Sequence, residues 1–149
     1  MYAFRLASSR YRSDNSEGAR LYGGRWNAVG TPVIYSSSTK SLAALEVIVH
    51  YGGIPGDYQV VLIDMPDALP IELIERGDLS GKWPDPSTDR DTEVRGDMWA
   101  VSLRTPVLKV PSAVIPSEHN YILNPRHPEF AKIRFEVLAT EYVDPRLRR

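Results

Sequence analysis

The sequence contains no cysteine, so disulfides and thiolate-bound metals are excluded at once. Histidine is scarce as well, and His50, His119 and His127 show no metal-ligand spacing, so no metal site is expected. No apolar run is long enough for a signal peptide or a membrane span, which makes a soluble, cytoplasmic protein the expectation. Excess charge is also missing. With 18 Lys+Arg against 19 Asp+Glu the net charge is -1, which removes any bulk drive toward nucleic acid or anionic membrane. There is no internal repeat and no low-complexity tract. Gly18, Gly23, Gly24 and Gly30 do not spell a Walker or Rossmann loop. A Ser-His-Asp hydrolase using Ser112 lacks the G-x-S-x-G elbow that would support it.

What is present is an ordinary globular balance, 42% hydrophobic and 25% charged, over 149 residues, enough for one domain with a real core. Twelve prolines and ten glycines are scattered as turn markers. Arg5, Arg10, Arg12, Arg20 and Arg25 crowd the first 25 positions, and an arginine-rich end without local balance favours anionic groups such as phosphates.

Tyr2 to Leu6 reads as a first strand, Ser8 to Gly18 as a loop, and Val33 to Tyr35 as a short strand after the Gly30-Thr31-Pro32 turn. Ser36 to Thr39 offer N-caps for a helix over 40–51 that Gly52-Gly53 stops. Leu42, Leu45 and Val49 form its apolar stripe, with Glu46 beside it. Strands follow at 58–65 and 71–74, then a polar stretch from Leu79 to Asp91 that reads as an exposed loop over a pocket. A helix over 91–102 has Met98, Trp99 and Val101 near its buried side, although Gly96 weakens it. Val107 to Ile115 is strand-like on both sides of Pro111, whose bend would aim Ser112. A short helical piece starts at His127, a final strand spans 133–143, and the tail from Pro145 is expected to be mobile. Six or seven strands with two or three helices and no βαβ rhythm make an α+β domain.

Tyr22 to His50 concentrates the chemistry. Gly23-Gly24 permits a sharp turn that sets Arg25 and Trp26 at an angle. Glu46, a carboxylate beside a buried stripe, needs Arg25 or a ligand unless it faces water. An arginine, a tyrosine and one glutamate, with a serine at hand, suit cleavage of a bond whose leaving group already carries positive charge. The nicotinamide N-glycosidic bond of NAD+ is such a bond: the ribose becomes oxocarbenium-like and the leaving group departs neutral, without a general acid. Three classes stay open on the residues: an enzyme consuming free NAD+, a protein ADP-ribosyltransferase with a macromolecular acceptor, and a non-enzymatic binding module for which Glu46 is only a helix-face charge.

The runs E-G-A-R-L-Y-G-G-R-W-N-x-x-G-T-P-V-I-Y, A-A-L-E-V-I-V-H and V-P-S-A-V-I-P-S-E-H-N-Y-I-L-N-P-R-H-P, in this order, resemble the RES domain family. The resemblance covers the chain from Arg5 to about Phe135 and is weakest over 71–95. It implies a single compact domain similar to the ADP-ribosyltransferase fold, with short mixed strands in a split sheet core and flanking helices. It also implies a bacterial toxin that depletes NAD+ by hydrolysis or phosphorolysis and arrests growth, or alternatively one that transfers ADP-ribose to a protein. NAD+ then enters as substrate, and no cofactor is implied. Carried onto this chain, Arg25 would bind the phosphate-ribose part, Tyr35 would lie at the nicotinamide, Glu46 would orient the ribose and stabilise the cation, and Ser112 would hydrogen-bond the nicotinamide end. Arg5, Trp26, Asn27 and Asn120 would line or support the substrate site. The implied partner is an Xre-type helix-turn-helix antitoxin that blocks the pocket and leaves DNA contact to itself, with homo-dimerisation of the toxin possible inside that complex.

Overall fold

The computed structural model describes residues 1–149. Seven strands, β1 (Tyr2–Ser8), β2 (Ile34–Ser37), β3 (Tyr58–Asp64), β4 (Ile71–Leu73), β5 (Val107–Pro111), β6 (His119–Leu123) and β7 (Arg134–Val137), form one sheet in the order β4-β5-β6-β2-β1-β3-β7. Every pairing is antiparallel except β4 with β5. At its middle the sheet has a seam. β1 pairs with β3 along its whole length, from Tyr2↔Asp64 to Ser8↔Tyr58, but meets β2 only at Phe4↔Ser37. Two half-sheets, β4-β5-β6-β2 and β1-β3-β7, are thus joined by a single backbone pair, and the split, mixed sheet of an α+β domain is what is found.

Helix α2 (Lys40–Tyr51) has the bounds that its local signals dictate. Thr39 accepts the Leu42 N–H on its hydroxyl at 3.1 Å, and Gly52 closes the helix at φ 74. Its inner face is not the expected Leu42-Leu45-Val49 stripe. Leu42 and Ala43 are buried and Val47 and Ile48 pack on the core, while Leu45 and Val49 face water. The small Ala43 and Ala44 let the helix lie close to β1, which rotates Glu46 inward between Leu42 and Ala43. Helix α3 (Asp89–Ser102) buries Thr92, Gly96, Trp99 and Ala100. Met98 and Val101, expected near its buried side, are 65% and 77% exposed on the opposite face. Gly96, the apparent weakness of this helix, is its closest contact: a Cβ there would lie 1.7 Å from the Trp26 carbonyl oxygen.

Alternation along the strands sorts side chains onto two faces. On the front, Phe4 and Leu6 pack under α2, and Leu108, Val110 and Ile122 pack against Trp26, Trp83 and Trp99 beneath α3. The reverse face carries one core that spans both half-sheets, with Ala3, Val61 and Ile63 from one and Ile34, Val107 and Leu123 from the other.

The remaining departures from the sequence reading have local causes. A short helix α1 (Glu17–Tyr22) buries no residue, so no apolar period announces it; Arg20 bonds back to Glu17 along it at 2.9 and 2.8 Å. The 79–91 stretch is no free loop, because Leu79 and Trp83 are buried in the tryptophan cluster and Asp89 already starts α3. β5 stops at Pro111 and the chain folds into a tight loop over 112–118, where Ser112 N donates to Glu118 O at 2.9 Å. β7 ends at Val137; beyond it Leu138 N donates once more to Val60 O at 2.9 Å, and Leu138 and Val143 pack on the cluster of Leu6, Ala43, Ile54 and Val60. The tail, expected to be mobile, is tied by Ile54: its N–H donates to Leu147 O at 2.8 Å and its carbonyl accepts from Arg149 N at 3.2 Å.

Candidate active site

Glu46 is met from across the seam. Its Oε1 accepts from Ser112 Oγ at 2.7 Å and from Asn120 Nδ2 at 2.6 Å, and Oε2 has no protein donor. The carboxylate rides on α2, which packs on the β1-β3 half, whereas Ser112 follows β5 and Asn120 lies in β6. Ser37 Oγ donates to Asn120 Oδ1 at 2.7 Å and so fixes the far end of that amide. Ser112 is fully buried, and its hydroxyl is saturated: the one proton goes to Glu46, and the oxygen accepts Val114 N–H and Ile115 N–H, both at 3.0 Å. The serine proton that the resemblance directs to the nicotinamide end is here directed at Glu46. The serine thus orients Glu46.

A second group stands on the same face. Tyr35 and Ser37 are two residues apart on β2, so their side chains project side by side about 7 Å apart. The Tyr35 hydroxyl accepts from Trp26 N–H at 3.0 Å and donates to Asn27 Oδ1 at 2.6 Å. Burial pushes this phenol well above the usual tyrosine range, so it stays protonated and keeps donating. Asn27 in turn donates to the carbonyls of Ala19 at 2.8 Å and Thr31 at 3.0 Å. Gly24 has no alternative here, since a Cβ would stand 2.6 Å from the Tyr35 hydroxyl. Asp97 of α3 accepts Ala28 N–H at 3.0 Å, and Thr92 Oγ1 donates to Arg25 O at 2.8 Å. The Gly24–Asn27 turn is therefore clamped between β2 and α3, with Arg25 at its partly exposed tip.

Arg25 does not reach Glu46. Its Nη1 pairs with Asp89 at the start of α3. Trp26 and Asn27 are 3% and 0% exposed, so they brace the turn from inside and do not line a substrate surface. Asn120 is partly exposed and bonds Glu46 and Ser37. Arg5 alternates onto the reverse side with Ala3 and Ala7, and its Nη1 donates to Ser13 O at 3.3 Å and Asn15 O at 3.2 Å. Its buried Nε has no partner, and burial lowers its pKa to about 10. The unbalanced arginine cluster dissolves in three dimensions: Arg10, Arg12, Arg20 and Arg25 each face a carboxylate, Asp57, Asp14, Glu17 and Asp89, and Arg5 alone has none in contact. The residue that sequence reasoning missed is Ser37, which looked like one of four equivalent helix caps. Only Thr39 caps α2, while Ser36 donates to Tyr121 O and Ser37 to Asn120.

Two surface cavities, of about 330 Å³ beside Arg12, Ser13 and Phe135 and about 260 Å³ between Pro32, Leu103 and Arg126, lie away from Glu46. No three His, Asp or Glu side chains gather as a metal site, and no helix is long and apolar enough to cross a membrane. What the front face can do chemically is hold one rigid, half-satisfied carboxylate next to a phenol-braced turn bearing a guanidinium.

The chain is similar over most of its length to proteins of known kind. A Prs ADP-ribosylating toxin of Sphingobium sp. (strain YBL2) is 37% identical over 93% of this chain and 90% of its own. A Toxin Res of Photorhabdus laumondii is 36% identical over 99% of this chain and 97% of its own. The crystal structure of the M. tuberculosis MbcT-MbcA toxin-antitoxin complex contains a chain that superimposes with a TM-score of 0.72, covering 92% of this chain and 83% of that one at 17% identity, a likeness of fold. The model of the RES domain matches residues 3–144, and with that match and these relatives the chain belongs to the RES domain family.

Proposed function

We propose that this protein is the toxin of a toxin-antitoxin pair and that it cleaves the nicotinamide N-glycosidic bond of NAD+, depleting the cellular pool and arresting growth. The observation that carries this reading is the half-satisfied carboxylate: Oε1 of Glu46 is fixed by Ser112 and Asn120, and Oε2 is left without a donor. A free carboxylate oxygen accepts a ribose hydroxyl and lies against the positive charge that grows on the ribose as the bond lengthens. Because Ser112 and Asn120 hold the group in advance, little reorganisation is needed at that moment. Nicotinamide departs neutral and requires no acid. Water then adds to the anomeric carbon and releases a proton, giving ADP-ribose; inorganic phosphate in its place gives ADP-ribose-1''-phosphate. Tyr35 supplies an aromatic wall for nicotinamide, and Arg25 exchanges Asp89 for the substrate diphosphate.

A second reading uses the same chemistry with a protein side chain as acceptor, and the 37% identical relative that is named an ADP-ribosylating toxin favours it. Under either reading an enzyme that consumes NAD+ requires an inhibitor, and the fold neighbour was solved together with its antitoxin. The partner proposed here is a helix-turn-helix antitoxin of Xre type that covers the Glu46 face. The net charge of -1 agrees with DNA contact being left to that partner.

The test is to incubate purified protein with NAD+ in buffers with and without inorganic phosphate and identify products by mass. Nicotinamide with ADP-ribose in both buffers marks hydrolysis; ADP-ribose-1''-phosphate appearing only with phosphate marks phosphorolysis. Intact NAD+ in both buffers overturns consumption of the free dinucleotide.

A further inference from the structure

From the hydrogen-bond chain Ser37–Asn120–Glu46 we infer that Ser37 is a positioning residue for the carboxylate, acting through Asn120; the inference rests on Glu46 being the working group of the proposed reaction. Ser37 stands where the two half-sheets meet. Its backbone is paired with Phe4 of β1 on one side and with Asn120 of β6 on the other, and no other residue of β2 is paired on both sides. Its side chain is 3% exposed, and its hydroxyl proton goes to Asn120 Oδ1 at 2.7 Å.

The chemistry gives this contact a direction. An ionised carboxylate only accepts, so Asn120 must turn its NH2 toward Glu46 Oε1, where the distance is 2.6 Å. That leaves the amide oxygen pointing back at β2, and an amide is a rigid plane, so whatever holds the oxygen sets the direction of the NH2. Ser37 is the group that holds it. Without the hydroxyl, the Asn120 side chain is retained at one end only, and its χ2 torsion broadens about the remaining bond. Glu46 then keeps its Ser112 donor but loses the fixed second one, and Oε2 no longer points in one direction. Binding of the dinucleotide through Arg25 and Tyr35 is untouched, because neither bonds Ser37 or Asn120. The expected effect therefore falls on the chemical step.

The experiment compares wild type, Ser37→Ala and Ser37→Thr for NAD+ turnover at several substrate concentrations, and follows hydrogen exchange of the Asn120 side-chain amide by NMR in each. Loss of one hydrogen bond in a preorganised site is worth about tenfold in rate. Ser37→Ala should lower kcat about tenfold with KM changed less than about twofold, should speed exchange of the Asn120 amide, and should be restored by Ser37→Thr, which keeps the hydroxyl. Unchanged kcat in Ser37→Ala, or a matched loss in both variants together with lowered thermal stability, would mean that the residue merely fills space at the seam and would overturn the inference. If wild type consumes no NAD+, the functional reading fails by itself. The Asn120 amide then decides the remaining question: faster exchange in Ser37→Ala alone upholds the positioning contact, and equal exchange in all three proteins sinks it.

Discussion

Glu46 and Ser112 share one hydrogen bond yet should respond differently to substitution. Glu46→Gln keeps the shape and an amide oxygen for Ser112 and Asn120, and removes only the charge. Turnover of NAD+ should fall by about 10²–10³-fold, the size found for losing one preorganised electrostatic group, while the melting temperature stays within about 2 °C. The variant should still co-purify with the antitoxin. Undiminished turnover or toxicity in Glu46→Gln would defeat both enzymatic readings. Ser112→Ala, by contrast, strips one donor from Glu46 and the acceptor from Val114 and Ile115 N–H together. Leaving these partly buried N–H groups unpaired costs up to about 1–3 kcal/mol, so this variant should lose both activity and melting temperature. A Ser112→Ala protein of unchanged stability would contradict the saturated hydroxyl described above.

At the scale of elements, α3 and the Gly24–Asn27 turn are held together by an absence, the missing Cβ of Gly96. In an isolated helix, Gly→Ala adds about 1 kcal/mol of stability. Here the added carbon would lie 1.7 Å from the Trp26 carbonyl, and overpacking of that kind costs about 1–3 kcal/mol or more, so the sign reverses. Gly96→Ala should therefore lower the urea midpoint and, by displacing the turn, loosen Arg25; a raised midpoint would show that the helix and turn are not in this contact. The same contact shows what the sequence could and could not convey. The bounds of α2 were legible because Thr39 and Gly52 act on their own neighbours. Its inner face was not, because close approach of Ala43 outweighs the larger Leu45 and Val49, a preference that exists only once β1 lies beneath. Gly96 counted against a helix on propensity alone and became its docking point. Glu46 was recognisable as a carboxylate in need of Arg25, a ligand or water; the protein donors lie 66 and 74 positions away, and Arg25 is taken by Asp89, 64 positions on. Resemblance pointed to Tyr35 and Ser112 but not to the partners of their hydroxyls. Those hydroxyls bond Asn27 and Glu46.

For the whole molecule, the segment from Pro145 is a strap. Removing residues 145–149 would leave the N–H and carbonyl of the fully buried Ile54 without partners. At about 1–3 kcal/mol for each such group, and about 2–4 °C per kcal/mol in a chain of this size, the melting temperature should drop by at least several degrees; a mobile tail would be removed without effect. Acid should weaken the fold in a way that His119 marks. Burial, and then the nearby charge of Lys109, hold this imidazole below its ordinary value of 6.5. The unfolded chain thus takes the proton first, and stability is lost as pH falls through 6.5 until the lower folded value is passed. His119→Gln should flatten the melting temperature across that window, whereas an unaltered slope would assign the acid sensitivity elsewhere. The seam gives the molecule a further property. Glu46 is carried by one half-sheet and its donors by the other, so the carboxylate works as a strain gauge: a rotation between the halves changes its two hydrogen bonds along with the reverse-face core the halves share. Native-state hydrogen exchange should accordingly resolve two blocks, β1-β3-β7 and β4-β5-β6-β2, with opening energies that part further in Glu46→Ala, which cuts the gauge, than in Glu46→Gln, which keeps it. A chain built in this way ties the two hydrogen bonds of its cross-seam carboxylate to the register of the halves.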